Sequence, residues 1–138
     1  HLFFQIEPPQ GDGDDTALNA ITLQCEDATK SLYGGHLQSG IGNWGDWSGF
    51  ATCKFQSGTQ AFLTAFPLQV EPIQGGPVDD TSVNSVKFMC LDLQATINQY
   101  QLAQDHRKGL WGSYGGWSKT CPIHPAICVI QMRIEKPQ

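Results

Sequence analysis

Residues 6–25 read IEPPQGDGDDTALNAITLQC and residues 70–90 read VEPIQGGPVDDTSVNSVKFMC, and the likeness of these two stretches decides the fold. Glu7 aligns with Glu71, Asp14 with Asp79, Asn19 with Asn84 and Cys25 with Cys90. The spacing grows by one between the Glu pair and the others, so a single residue is inserted in the turn of the second copy. A third copy opens at Ile134-Glu135-Lys136-Pro137-Gln138 and stops in mid-motif. Self-similarity at a fixed period implies repeated supersecondary units, none of which can bury its apolar face alone.

Within a unit the local signals are those of β-structure. Val83 to Cys90 alternates apolar and polar residues with the period of a half-buried strand. Gln60 to Phe66 leads into Leu68 to Glu71 as its partner, and the corresponding stretches are Leu2 to Glu7, Leu18 to Cys25, and Ile127 to Glu135. Pro8, Pro9 and Pro72 end the first strand of each pair because proline cannot donate to a ladder, and the glycines that follow turn the chain. The pairs read as antiparallel. Asp92 to Lys108 has no clean apolar stripe and Ala28 to Ser39 is glycine-rich, so both are expected to be variable loops.

A second motif lies between the copies. Gly42-Asn43-Trp44-Gly45-Asp46-Trp47-Ser48 matches Gly112-Ser113-Tyr114-Gly115-Gly116-Trp117-Ser118 when W-S is laid on W-S, and a cysteine follows each, Cys53 and Cys121. Three such units packed around a shared axis would bury their apolar faces together, which gives an all-β domain.

Composition narrows the function. The 138 residues make one domain, and 13 acidic residues against 8 scattered basic ones give a net charge of −5, which makes nucleic acid and anionic membrane poor partners. No apolar run approaches the roughly 18 residues of a membrane span, so membrane insertion is not expected. C-x-x-C, P-loop, dinucleotide-binding and H-E-x-x-H motifs are missing, and no cofactor is expected. The opening His1-Leu2-Phe3 is neither an initiator Met nor a signal peptide, which fits a mature or cut product.

The segment Gly13 to Asn19, its echo Asp79-Asp80-Thr81-Ser82-Val83-Asn84, and Trp44-Gly45-Asp46-Trp47 together resemble the vitelline membrane outer layer protein I family. The resemblance covers essentially the whole chain. It implies a β-prism of three Greek-key antiparallel sheets with pseudo-threefold internal symmetry, secreted and disulfide-bonded. The role it implies is structural, in an egg envelope or extracellular matrix, with a lectin-like activity as the alternative and a glycan-active enzyme as a third reading. Partners would be other coat or matrix proteins and glycans, with assembly through sheet edges. The resemblance carries over no catalytic residue. The first unit lacks its G-x-W-G-x-W half and the third its D-D-T-x-x-N half, so residues 1–138 are expected to be a single prism domain cut at both ends.

The five cysteines fit that expectation. In the complete central unit Cys53 and Cys90 are expected to pair, leaving Cys25 and Cys121 with partners outside the chain. Cys128 joins either Cys121 or a further cysteine.

Candidate site residues have structural readings beside functional ones. Asp14 and Asp79, each followed by a second Asp, could serve as glycosidase carboxylates, calcium ligands or sugar contacts; their recurrence after a turn favours hydrogen bonding to neighbouring amides. Glu7, Glu71 and Glu135, with Gln10, Gln74 and Gln138, are expected to make buried hydrogen bonds or line a polar groove. Asn19 and Asn84 are expected to hold turns or a strand edge. Trp44, Trp47, Trp111, Tyr114 and Trp117 are the candidates for stacking on a pyranose. Regular repetition favours packing, with one ring of each pair inside, and Trp111, just outside the motif, is the ring expected to be exposed. His1, His36, His106 and His124 have no zinc or nucleophile spacing.

Overall fold

The computed structural model describes residues 1–7, 18–26, 33–49, 51–54, 61–73, 75, 83–92, 99–103, 111–121, 126–127 and 129–133. Every helix or strand among these is a β-strand: β1 (Leu2–Ile6), β2 (Leu18–Glu26), β3 (Tyr33–Gln38), β4 (Asp46–Trp47), β5 (Ala61–Ala65), β6 (Leu68–Val70), β7 (Val83–Asp92), β8 (Gln99–Ala103) and β9 (Ser113–Tyr114). The chain is all-β and its pairings are antiparallel, as the sequence indicates.

One sheet has the order β3-β2-β1-β4. In the other, β7 pairs with β8, with β5 and with β6, and β6 continues to β9. The two sheets share a register. Phe4 faces Ile21 as Leu68 faces Val86, and Cys25 faces Gly35 as Cys90 faces Tyr100. In both sheets the inner pair carries a bulge at the recurrent asparagine. Gln5 faces Ala20 and Ile6 faces Leu18, which leaves Asn19 as the extra residue; Gln69 faces Ser85 and Val70 faces Val83, which leaves Asn84. Both asparagines are buried. A bulge bends its strand and increases its twist, so the recurrent Asn marks where each sheet curls over the core.

The core lies between the sheets. Leu2, Phe4 and Ile6 of β1, Leu18, Ile21 and Leu23 of β2, and Val86 and Phe88 of β7 form its centre. Period two carries these side chains inward: along β7, Val86, Phe88 and Cys90 are buried while Lys87, Met89 and Leu91 are half-buried. Phe88 stacks on Phe4 at 6.5 Å between centroids with the planes 14° apart, and Phe66 tilts against Phe88 at 6.1 Å. Each fully buried side chain of this size contributes roughly 1.5–3 kcal/mol.

Three expectations are corrected. The stretches read as loops contain β3 and β8, the outer strands, each laying one leucine, Leu37 or Leu102, on the core. Ile127 to Glu135 is not a strand over its described residues 127 and 129–133. The Ile127 amide donates to the Leu63 carbonyl at 2.8 Å, and Ile127, Ile130 and Met132 still pack on the core. The alternating pattern supplies the apolar contacts, but strand geometry also needs a neighbouring ladder, and here one backbone bond stands in its place. The third correction concerns the tryptophan motif.

Candidate functional site

The aromatic segments form the outer strands β4 and β9. Each closes its sheet beside the inner strand: Gln5 faces Trp47 and Ile6 faces Asp46, while Gln69 faces Tyr114 and Val70 faces Ser113. The glutamine side chains clamp the segments, Gln5 Nε2 donating to the Gly45 carbonyl and Gln69 Nε2 to the Gly112 carbonyl, both at 3.2 Å. Ser48 N donates to the Phe4 carbonyl at 2.7 Å and Gly115 N to the Leu68 carbonyl at 2.9 Å. Further out, Ala51 N donates to the Leu2 carbonyl at 3.0 Å and Ser118 N to the Phe66 carbonyl at 2.9 Å.

All of these correspondences set Gly45 against Gly112, Ser48 against Gly115 and Ala51 against Ser118. Trp44-Gly45 thus occupies the place of Trp111-Gly112, Trp47 that of Tyr114, and Phe50 and Trp117 correspond by position in the sequence. Laying W-S on W-S sets Gly45 against Gly115 instead, which is out of register with the backbone. Gly45 and Gly112 have φ of 93° and 89°, and a Cβ on either would strike the inner strand, so the glycine after the first tryptophan is the fixed point.

This places the aromatic candidates differently from expectation. The exposures are 51% for Trp44, 44% for Trp47, 44% for Trp111 and 41% for Trp117, so neither ring of a pair lies inside and Trp111 is no exception among them. Among the described residues β4 and β9 are each paired along one edge, and the feature they share is the glycine set against the inner strand, not an indole in the core. Tyr114 is the anchored ring. Its hydroxyl donates to Ser85 Oγ at 3.0 Å, and Lys87 Nζ lies 3.8 Å from the ring centroid, a cation–π contact that occupies one face. One face of Tyr114 is thus covered, while the four tryptophans are each 41–51% exposed.

Asp14, Asp79 and Cys128 lie outside the described residues, as do Gln10, Gln74, Glu135, Gln138, His106 and His124. Glu7 and Glu71 are buried, as expected of groups that hydrogen-bond internally. Among the described residues no group of three or more His, Cys, Asp or Glu side chains could hold a metal ion, and no helix is long and apolar enough to cross a membrane.

The disulfide ties the 51–54 segment to β7. Cys53 and Cys90 are bonded, with Cα atoms 5.7 Å apart. Cys25 and Cys121 are free and exposed. A cleft of about 240 Å³ opens beside the disulfide between Glu26, Thr52, Leu63 and Ile127. His1 closes one side of it, Nδ1 bonded to Thr52 Oγ1 at 2.6 Å and Nε2 to Glu26. This cluster ties β1 to β2 and to the start of the 51–54 segment. Nothing in the sequence points to it, because the three partners are far apart in the chain and none belongs to the repeated motif.

Fold and surface together define a disulfide-tied antiparallel β protein whose outer strands display tryptophan. The chain belongs to the vitelline membrane outer layer protein I family, whose model matches residues 2–138. It is 41% identical over 136 residues to a mouse (Mus musculus) vitelline membrane outer layer protein 1 homolog, and 38% identical over 139 residues to a human (Homo sapiens) one. These matches cover 97% of the chain and 60% and 59% of the relatives, so the chain spans about three fifths of their length.

Proposed function

We propose that the chain is a secreted structural and interaction component of an extracellular coat of the egg-envelope kind, working through contacts with other coat or matrix proteins. Membership of the family over residues 2–138 carries this reading. The bonded Cys53 and Cys90 support it, since disulfides persist in oxidising compartments and are rare in the cytosol. A β-prism with pseudo-threefold symmetry is the architecture proposed with it; two sheets of one register and the apolar residues Ile127, Ile130 and Met132 laid on their shared core support that form. Cys25, standing in the register position of Cys90, is proposed to pair with a cysteine that precedes residue 1 in a longer chain, and Cys121 with one that follows residue 138. Non-reducing peptide mapping of the protein recovered from coat and from cell fractions tests the proposal. The expected result is recovery in the coat fraction with the Cys53–Cys90 peptide linked. Recovery in the cytosol with both thiols reduced overturns it.

A second reading, a carbohydrate-binding module, is favoured by one observation, the four tryptophans that are 41–51% exposed. It predicts saccharide binding on a glycan array that falls by about tenfold or more in Trp44→Ala and in Trp111→Ala, the loss expected when a stacking ring is removed from a small site. An array without a hit, or binding that both substitutions leave intact, sinks it.

A further inference from the structure

Residues 51–54 cross from one sheet to the other. The segment starts on the first sheet, where Leu2 and Ala51 exchange two backbone bonds of 2.8 and 3.0 Å and Thr52 Oγ1 meets His1 Nδ1 at 2.6 Å. It ends on the second, through the Cys53–Cys90 bond to β7 and through Tyr100 of β8. One phenol oxygen makes the latter contact. It accepts from the Lys54 amide at 2.7 Å, and its own hydrogen is directed at the carbonyls of Lys54, at 3.1 Å, and of Thr52, at 3.3 Å. The two residues it holds are those on either side of Cys53.

Tyr100 is also the residue directly opposite Cys90 in the β7–β8 ladder. Directly opposed residues stand on the same face of a sheet with their Cβ atoms close together, so the ring that grips the neighbours of Cys53 rises beside the sulfur Cys53 must meet. Cys53 itself lies outside the strands, and no ladder fixes its place. The first sheet differs here: Gly35 stands opposite Cys25 and offers no hydroxyl. Cys90 is 0% exposed and Cys53 half-buried, so Cys53 offers the sulfur that an oxidant meets first.

We infer that Tyr100 is a positioning residue for the Cys53–Cys90 bond, its hydroxyl holding Cys53 against Cys90 while both are still thiols. The bond then forms by two exchanges with a small-molecule disulfide, for which glutathione disulfide serves. The Cys53 thiolate attacks it and releases one glutathione thiolate. The Cys90 thiolate attacks the mixed disulfide at the Cys53 sulfur and releases the second, so two electrons pass to the oxidant and the two thiol protons end on the released glutathione. A sulfur already held in place raises the effective concentration for this second step. The inference does not rest on the coat reading, because it concerns this bond alone.

The test is to alkylate the other thiols with the bridge intact, equilibrate the chain with mixtures of reduced and oxidised glutathione, and quantify bridged and open forms. Tyr100→Phe keeps the ring and loses the oxygen. It should lower the effective concentration of the pair about tenfold, as loss of one or two hydrogen bonds does, and so raise the reduction potential by about 30 mV. Tyr114→Phe removes a hydroxyl of the same kind, bonded to Ser85 at 3.0 Å on the same sheet, and should leave the equilibrium within about twofold. A second readout needs no substitution. In the reduced wild type the Lys54 amide should exchange its hydrogen about tenfold or more slowly than in the unfolded chain, since the phenol holds it before the bridge exists. An effect of Tyr100→Phe below about twofold, an equal effect of Tyr114→Phe, or exchange of the Lys54 amide at the unfolded rate overturns the inference.

Discussion

Replacing Cys53 and Cys90 together by alanine is expected to lower the unfolding free energy by about 4 kcal/mol and the melting temperature by roughly 10–20 °C. The bridge spans 37 residues, and in the chain-entropy model closing a loop of that length removes freedom from the unfolded state worth this much. Native contacts cannot make good the loss. Cys90 is fully buried in β7, but Cys53 lies on a segment held largely by single bonds, the Lys54 amide donating to the Tyr100 hydroxyl at 2.7 Å and that hydroxyl to the Thr52 carbonyl at 3.3 Å. Without the bridge, the ties of the segment 51–54 to the sheets include these, the Tyr100 hydroxyl to the Lys54 carbonyl at 3.1 Å, the His1–Thr52 contact and the Leu2–Ala51 bridge. Alanine is the proper replacement at position 90, since a serine hydroxyl would be buried there at a further cost. The check is urea unfolding of the oxidised wild type against the double variant, with Cys25 and Cys121 alkylated in both. A difference under about 1 kcal/mol would mean that the unfolded chain is not measurably constrained by the bridge, against the chain-entropy account.

The strands this bridge ties together differ in how clearly the sequence announces them. β2 and β7 are legible because they are central: both edges are paired, the apolar pattern is sustained over nine and ten residues, and proline and glycine bound the strand before them. β3 and β8 are not, because an outer strand commits one face to the core and offers the other to water. Tyr33-Gly34-Gly35-His36-Leu37-Gln38 and Gln99-Tyr100-Gln101-Leu102-Ala103 each supply a single leucine to the core cluster, and in β8 the alternation of half-buried Tyr100 and Leu102 with exposed neighbours runs over only five residues. Ile127 to Met132 shows the reverse failure, a period without a ladder. Recurrence singles out Asn19 and Asn84 correctly, but their bulges belong to pairing and are invisible in one strand read alone. The register of the tryptophan motif leaves no decisive signal in the sequence: counted back from the cysteine that follows, Gly45 stands 8 residues away, Gly112 9 and Gly115 6, so neither alignment is level and only the backbone pairing decides between them.

Gly112→Ala should be almost as damaging as loss of the disulfide, costing about 3–4 kcal/mol, and the reason lies in the same correction of register. At φ of 89° the backbone of Gly112 is in a region that costs an L-residue roughly 1–2 kcal/mol. Sterics add to this. A Cβ at 112 would lie 2.6 Å from the Glu71 amide nitrogen and closer still to the Val70 carbonyl, and these are backbone atoms of the inner strand, which cannot rotate away as a side chain would. Relief requires pulling β9 off β6, which breaks the Gln69–Tyr114 and Val70–Ser113 pairings and withdraws Tyr114 from Ser85 and Lys87. Gly45→Ala meets the same obstacle against Ile6 and Glu7 in the other sheet, with a Cβ 2.5 Å from the Glu7 amide nitrogen at φ of 93°. Gly115→Ala is the internal control: its Cβ would come no nearer than 3.9 Å to the Leu68 carbonyl, and its cost should stay within about 0.5 kcal/mol. If the motifs were aligned by their W-S pairs, Gly115 would be the partner of Gly45 and should be the sensitive position; in the backbone register Gly112 is. Urea unfolding of the three variants therefore separates the two alignments. Large losses in Gly45→Ala and Gly112→Ala beside a silent Gly115→Ala support the backbone register, and a costly Gly115→Ala with a silent Gly112→Ala would restore the side-chain match.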